Sequence, residues 1–154
     1  MWSPRGIWLA AGLALAACGF EPALVEGGAP GIGVAIDPEP PGTEVEFFYR
    51  ARLVDRIGPA EGAPLTLAYE VDTDTVRQAI TPDRVTERFL INGRVRWELS
   101  DATGVIAGGD AIGDSSYSST GSTVATAAAE RDAERRLMTL LADRTLTAVL
   151  AALP

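Results

Sequence analysis

From Thr123 to Ala152 the chain runs for thirty residues without a Gly or a Pro. At about 1.5 Å per residue a helix of that length spans on the order of 45 Å, enough to lie across a whole small sheet, so the rest of the chain must supply one. Ala129, Ala133, Leu137, Leu140, Leu141 and Ala148 form one apolar stripe along this predicted helix. Asp132 is placed to pair with Arg135 or Arg136 one turn on.

The clearest strand is Val85 to Ser100. Phe89, Ile91, Val95, Trp97 and Leu99 fall on one face, and Leu90, Asn92, Arg94, Arg96 and Glu98 on the other. One face is expected to be buried and the other wet. Asp101-Ala102-Thr103-Gly104 reads as a turn into Val105-Ile106-Ala107, hence a hairpin. Gly108, Gly109 and Gly113 suggest bulges or bends in the returning strand. Asp114 to Ser122 reads as a polar stretch before the long helix. Leu65 to Val71 alternates as a further strand, with Thr73 to Asp83 as a turn or loop. Thr43 to Ile57 has an N-cap candidate in Thr43, acids in its first turn, and Val45, Phe48, Tyr49, Leu53 and Ile57 at helical spacing. This first helix is expected to end near Gly58-Pro59. Before it, Gly19 to Gly42 is broken by Pro and Gly into a tether with one short strand, Ile32 to Ile36. The order strand, helix, strands, helix predicts an α+β fold with both helices on one sheet face.

The N-terminus reads as an address. Residues 1–17 hold no acid and one base, Arg5, followed by the apolar run Ile7 to Ala17. Eleven residues at about 1.5 Å each fall short of the roughly 30 Å of a bilayer core, so a cleaved export signal is favoured over a membrane span. Leu15-Ala16-Ala17-Cys18 resembles the lipobox of bacterial lipoproteins, in which the Cys thiol takes a diacylglycerol. Cys18 is the only Cys in the chain, and an unpaired thiol in an exported protein invites that explanation over a chance one. With a further N-acyl chain, such an anchor holds a protein to its membrane without a spanning helix. Gly19, not Asp, follows Cys18. By resemblance to lipoprotein sorting in Gram-negative bacteria, that permits passage to the outer membrane. The expected divisions are a signal peptide at 1–17, a lipidated tether at 18–31 and one α+β domain at 32–154.

Thirteen basic residues, all Arg, stand against 21 acidic ones, for a net charge of −8. That balance argues against nucleic acid. With no His and one Cys, neither the usual metal sets nor Ser/His and Cys/His nucleophile pairs assemble. Gly31-Ile32-Gly33 and Gly108-Gly109 lack the rest of a phosphate or dinucleotide loop. Glu70, Asp72 and Asp74 alternate as in a calcium loop, but Thr75 stands where Gly is needed and no Glu closes the loop, so a solvated strand end is expected. No enzyme activity, cofactor or metal is expected.

Arg94 and Arg96 point the same way from one strand, with Arg88 near its start. They read either as a solvated outer face, Arg96 answering Glu98, or as a small cationic patch able to hold phosphate groups. Arg131, Arg135 and Arg136 alternate with acids, which favours internal pairing.

Three stretches resemble one family, the LPS-assembly lipoproteins of the LptE type in their alphaproteobacterial form. They are Cys18-Gly19-Phe20-Glu21-Pro22; the strand Phe89 to Asp101; and Tyr117 to Thr126 leading into Ala129 to Arg136, joined by Leu141-Ala142-Asp143. The similarity is good over Val85 to Leu150 and loose over Thr43 to Asp83. Where the family continues Pro-Leu-Tyr, this chain has Pro22-Ala23-Leu24. The resemblance implies two helices on a four-stranded mixed sheet, placed as a plug inside a large outer-membrane β-barrel, LptD. It further implies help in barrel assembly and delivery of lipopolysaccharide to the cell surface, with Arg88, Arg94 and Arg96 as candidate lipopolysaccharide contacts. The wet face of Asn92, Arg94, Arg96 and Glu98 suits a polar lumen wall equally. The alternative is an auxiliary periplasmic lipoprotein of an envelope ABC transporter, with the same anchor and no barrel. A tethered hydrolase would need a buried acid in a pocket, which no residue predicts.

Overall fold

The computed structural model describes residues 35–60, 62–80, 87–119 and 122–153. The export segment, Cys18, the tether and the expected strand positions Ile32, Gly33 and Val34 lie outside the described residues. Six elements follow in order: β1 Ile36–Pro38, α1 Glu44–Ile57, β2 Leu65–Ile80, β3 Glu87–Asp101, β4 Gly104–Ser119 and α2 Thr123–Ala152. The strands form one sheet in the order β1-β2-β3-β4, with β1 parallel to β2 and the other pairs antiparallel. This is the expected α+β arrangement of two helices and a four-stranded mixed sheet.

Local chemistry starts α1 where expected. Thr43 Oγ1 accepts from Glu46 N at 3.2 Å, and Glu46 Oε2 accepts from Thr43 N at 3.1 Å. This reciprocal box satisfies amides that the first turn leaves without partners. Gly58, at φ 80°, closes α1 by donating to the Val54 carbonyl at 2.8 Å. Ser122 caps α2.

The core lies between one sheet face and the two helices. Leu65 and Leu67 of β2, Ile91, Val95, Trp97 and Leu99 of β3 and Ala111 of β4 bury against Tyr49, Leu53 and Ile57 of α1. From α2 come Ala133, Leu137 and Leu141 of the predicted stripe, plus Met138, Ala142, Leu146 and Val149. The stripe is wider than the periodicity predicts because α2 touches two surfaces, the sheet and α1. Ala129, Leu140 and Ala148 are half-buried.

Three expectations need correction. The segment from Thr73 is not a loop, since β2 continues to Ile80 in register with β3. Every residue from Asp72 to Gln78 is exposed, so no buried face imposed alternation, and pairing with β3 alone makes the strand. The polar stretch from Asp114 is likewise strand as far as Ser119, paired from Ser115↔Ile91 to Ser119↔Glu87. The glycines are not bulges: the register shift falls at Leu99/Ser100, and Gly113 sits regularly opposite Gly93. That pair is where α2 comes closest to the sheet. A Cβ on Gly93 would stand 2.9 Å from Leu141 Cδ1, and one on Gly113 would stand 2.9 Å from Leu140 Cδ2.

Candidate functional site

Antiparallel register decides what surrounds the Arg residues of β3. Arg94 lies opposite Asp72 on one side and Ile112 on the other, while Arg96 lies between Glu70 and Asp110. Directly opposed residues share a face, so the outer face carries Arg88, Arg94 and Arg96 together with Glu70, Asp72, Asp74, Glu98, Asp110 and Asp114. Arg96 donates to Glu70 Oε2 at 2.7 Å and 3.2 Å. That carboxylate, with help from Asp110 and Asp72, holds the guanidinium above its ordinary pKa. Among the described residues Arg88 and Arg94 make no ion pair. The three sequence-predicted Arg residues thus share one exposed face, and carboxylates outnumber them on it. Arg96 answers Glu70 across the sheet, where the sequence suggested Glu98 along the strand. Glu70, Asp72 and Asp74 are exposed, as expected, but they lie in the middle of β2 and not at a strand end.

Of the α2 Arg residues whose alternation with acids predicts internal pairing, Arg136 pairs within the helix, Arg131 pairs with α1, and Arg135 makes no ion pair among the described residues. Arg131 bonds Glu44 of α1, Arg136 bonds Asp132, and the Arg135 guanidinium sits 5.0 Å from the Phe48 ring centroid. The helices are further clamped by a two-pronged bond from Arg52 Nε and Nη2 to the Asp143 carboxylate, each at 3.0 Å. Tyr117 stacks on Phe89 at 5.1 Å and donates to Glu130 at 3.1 Å. The Tyr117 to Arg136 block therefore locks the end of β4 to the start of α2.

One functional feature escaped the sequence reading. β4 is an edge strand, and two α2 side chains reach across it: Arg136 Nη2 donates to the Ser116 carbonyl at 3.1 Å, and Arg144 Nη1 donates to that of Ile112. Such bonds occupy acceptors that an incoming strand would use. Arg144 gave no signal, because its partner is a backbone carbonyl thirty-two residues away, which no side-chain pattern records.

No catalytic constellation emerges among the described residues. No group of three or more His, Cys, Asp or Glu there is placed to hold a metal ion. An open groove of about 530 Å³ lies on the outer side of α1, lined by Pro41, Phe47, Arg50, Ala51, Val54 and Asp55. Its one acid is more than half exposed and paired with Arg52. No described helix is long and apolar enough to cross a membrane.

No protein-family model matches the chain, and no curated protein matches it. Its fold does match solved structures. A candidate lipoprotein from Caulobacter crescentus CB15 aligns with a TM-score of 0.64 at 23% identity, over 76% of this chain and 88% of that one. A minor lipoprotein from Acinetobacter baumannii aligns at 0.53 and 14% identity, over 75% and 91%. The rare lipoprotein B of Shewanella oneidensis aligns at 0.50 and 12% identity, over 76% and 92%. The two-helix, four-stranded unit of this chain is thus a fold it shares with these bacterial lipoproteins.

Proposed function

We propose that the chain is an outer-membrane lipoprotein of the LptE type. In this reading it is anchored through acylated Cys18 on the periplasmic side of a Gram-negative outer membrane, plugs the LptD barrel, and assists the barrel's assembly and lipopolysaccharide delivery. The observation that carries the reading is the outer sheet face. It carries opposed charges over three strands, with Arg88, Arg94 and Arg96 set among six carboxylates, all of them exposed. A polar lumen wall is the surface that such a face fits. The shared fold with lipoproteins and the resemblance over Val85 to Leu150 support the same reading. A plug works by occupancy and needs no catalytic residues.

Lipopolysaccharide phosphates would meet Arg88 and Arg94, which are not engaged in ion pairs with described residues. With six carboxylates to three guanidiniums, the face as a whole suits the barrel wall better than a phosphorylated lipid.

The test is a pull-down of C-terminally tagged chain from detergent-solubilised outer membrane. Recovery of one large β-barrel at near-equal stoichiometry is the expected result. Recovery of inner-membrane transporter subunits without a barrel would replace this reading with the auxiliary-lipoprotein alternative.

A further inference from the structure

The molecule is polarised end to end, and the polarity follows from the register. The chain enters the described unit at Ala35, just before Ile36 pairs with Leu65. Thr66 lies opposite Ser100, and Ser100 lies opposite Val105, so the entry point and the β3–β4 hairpin tip are at one end of the sheet. The loop between α1 and β2 is there too, tied by Gly62 N donating to Asp37 Oδ2 at 3.2 Å. α2 runs from Tyr117, bonded to its Glu130, toward Ile112, bonded to its Arg144. Its last two turns therefore point to the same end.

The sequence at that end is nearly free of charge. Ala102 to Gly109 and Thr145 to Leu153 carry no charged residue, and Gly58 to Tyr69 carries only Glu61. The Asp101 carboxylate stays open to solvent beside the tip, accepting from Thr103 N at 2.7 Å, Thr103 Oγ1 at 2.6 Å and Gly104 N at 3.1 Å. At the tip, Val105 is 63% exposed and Ile106 40% exposed. The opposite end holds Asp72, Asp74, Arg77, Glu87, Arg88 and Asp114 as well as the charged first half of α2. The exposed Val76 and Val124 are set among these polar neighbours.

We propose that the uncharged end, led by Val105 and Ile106, docks on the phospholipid surface that anchors the chain. This rests on the reading of Cys18 as lipidated. The occupant follows from where the chain outside the described unit attaches: the acylated residue is tied to this end. The seventeen Cα-to-Cα steps from Cys18 to Ala35 reach at most about 60 Å extended and about 23 Å as a flexible coil. Such a short link keeps the tip at a high local concentration over the bilayer, so a weak apolar contact is enough to orient the domain. Neutral aliphatic side chains such as Val105 and Ile106 are suited to the acyl boundary.

The test uses the full lipidated chain in phosphatidylethanolamine–phosphatidylglycerol vesicles. Acylation consumes the only native thiol, so Val105→Cys or Asp74→Cys introduces the single site for an environment-sensitive fluorophore. The probe at 105 is expected to shift blue and to be quenched by bromine-labelled lipids several-fold more than the probe at 74. Adding Val105→Ser and Ile106→Ser to an Ala102→Cys probe should return quenching to the level seen at 74. If the chain floats with the vesicles but the probe at 105 is no more quenched than that at 74, docking is refuted while the anchor stands. If it lacks the acyl mass and does not float, the anchor reading falls and the docking proposal falls with it.

Discussion

All three tyrosines of the chain are shifted in one direction. Burial pushes Tyr69 up to about 12. Burial pushes Tyr49 higher still, with Thr145 opposing. Desolvation and the Glu130 carboxylate raise Tyr117. A group that the fold keeps protonated contributes stability that is complete below its unfolded pKa, near 10, and is lost as pH rises through the folded value. Absorbance titration is therefore expected to place the tyrosinate rise above its ordinary pH near 10, with the Tyr49 contribution appearing only on loss of the circular-dichroism signal. Tyr49 offers a second check. Its hydroxyl and that of Thr145 are near enough for Thr145 to affect its ionisation, yet neither has a partner in hydrogen-bond geometry. A buried polar atom without a partner costs free energy, so Tyr49→Phe should hold or raise stability, by about 1 kcal/mol in chemical denaturation. A clear loss would mean the hydroxyl is satisfied. The pattern of apolar spacing placed Tyr49 in the core, but the state of its hydroxyl depends on α2, ninety-six residues away in sequence.

At the scale of elements, helix–sheet contact is set by the smallest side chains. Gly93→Ala would put a methyl against Leu137 and Leu141, both fully buried. Overpacking there should cost about 1–3 kcal/mol, read as a lower denaturation midpoint with an unchanged slope. The exposed Ala102→Gly serves as a control with little effect. The edge of β4 yields a different prediction. Removing both guanidiniums with Arg136→Ala and Arg144→Ala uncovers carbonyls on a sixteen-residue edge strand. Concentration-dependent self-association by light scattering is the expected result. A variant that stays monomeric would show that the two side chains do not guard the edge. Both helices and β3 were legible because a buried face leaves its period in the sequence. The outer halves of β2 and β4 were not, since their order comes from hydrogen bonds to β3, which side-chain composition does not record.

For the whole molecule, the consequence is an exposed acidic sheet face carrying a short Arg row, beneath a core and opposite two parallel-running helices. If that face meets a barrel wall, Asp72→Arg with Asp110→Arg reverses its charge pattern around Arg94 and Arg96. Both positions are exposed, so thermal stability should change little, while barrel recovery in the pull-down should fall several-fold. Arg88→Ala with Arg94→Ala should leave barrel recovery intact. It should reduce lipopolysaccharide retention if those residues hold its phosphates. By itself, the sequence determined the two helices and the buried face of β3. Each of these is written in local composition or period. Tertiary structure alone decided which charges face Arg94 and Arg96, which carbonyls Arg136 and Arg144 cover, and that the uncharged stretches gather where the tether enters. These depend on strand register and helix direction, which bring together residues tens of positions apart.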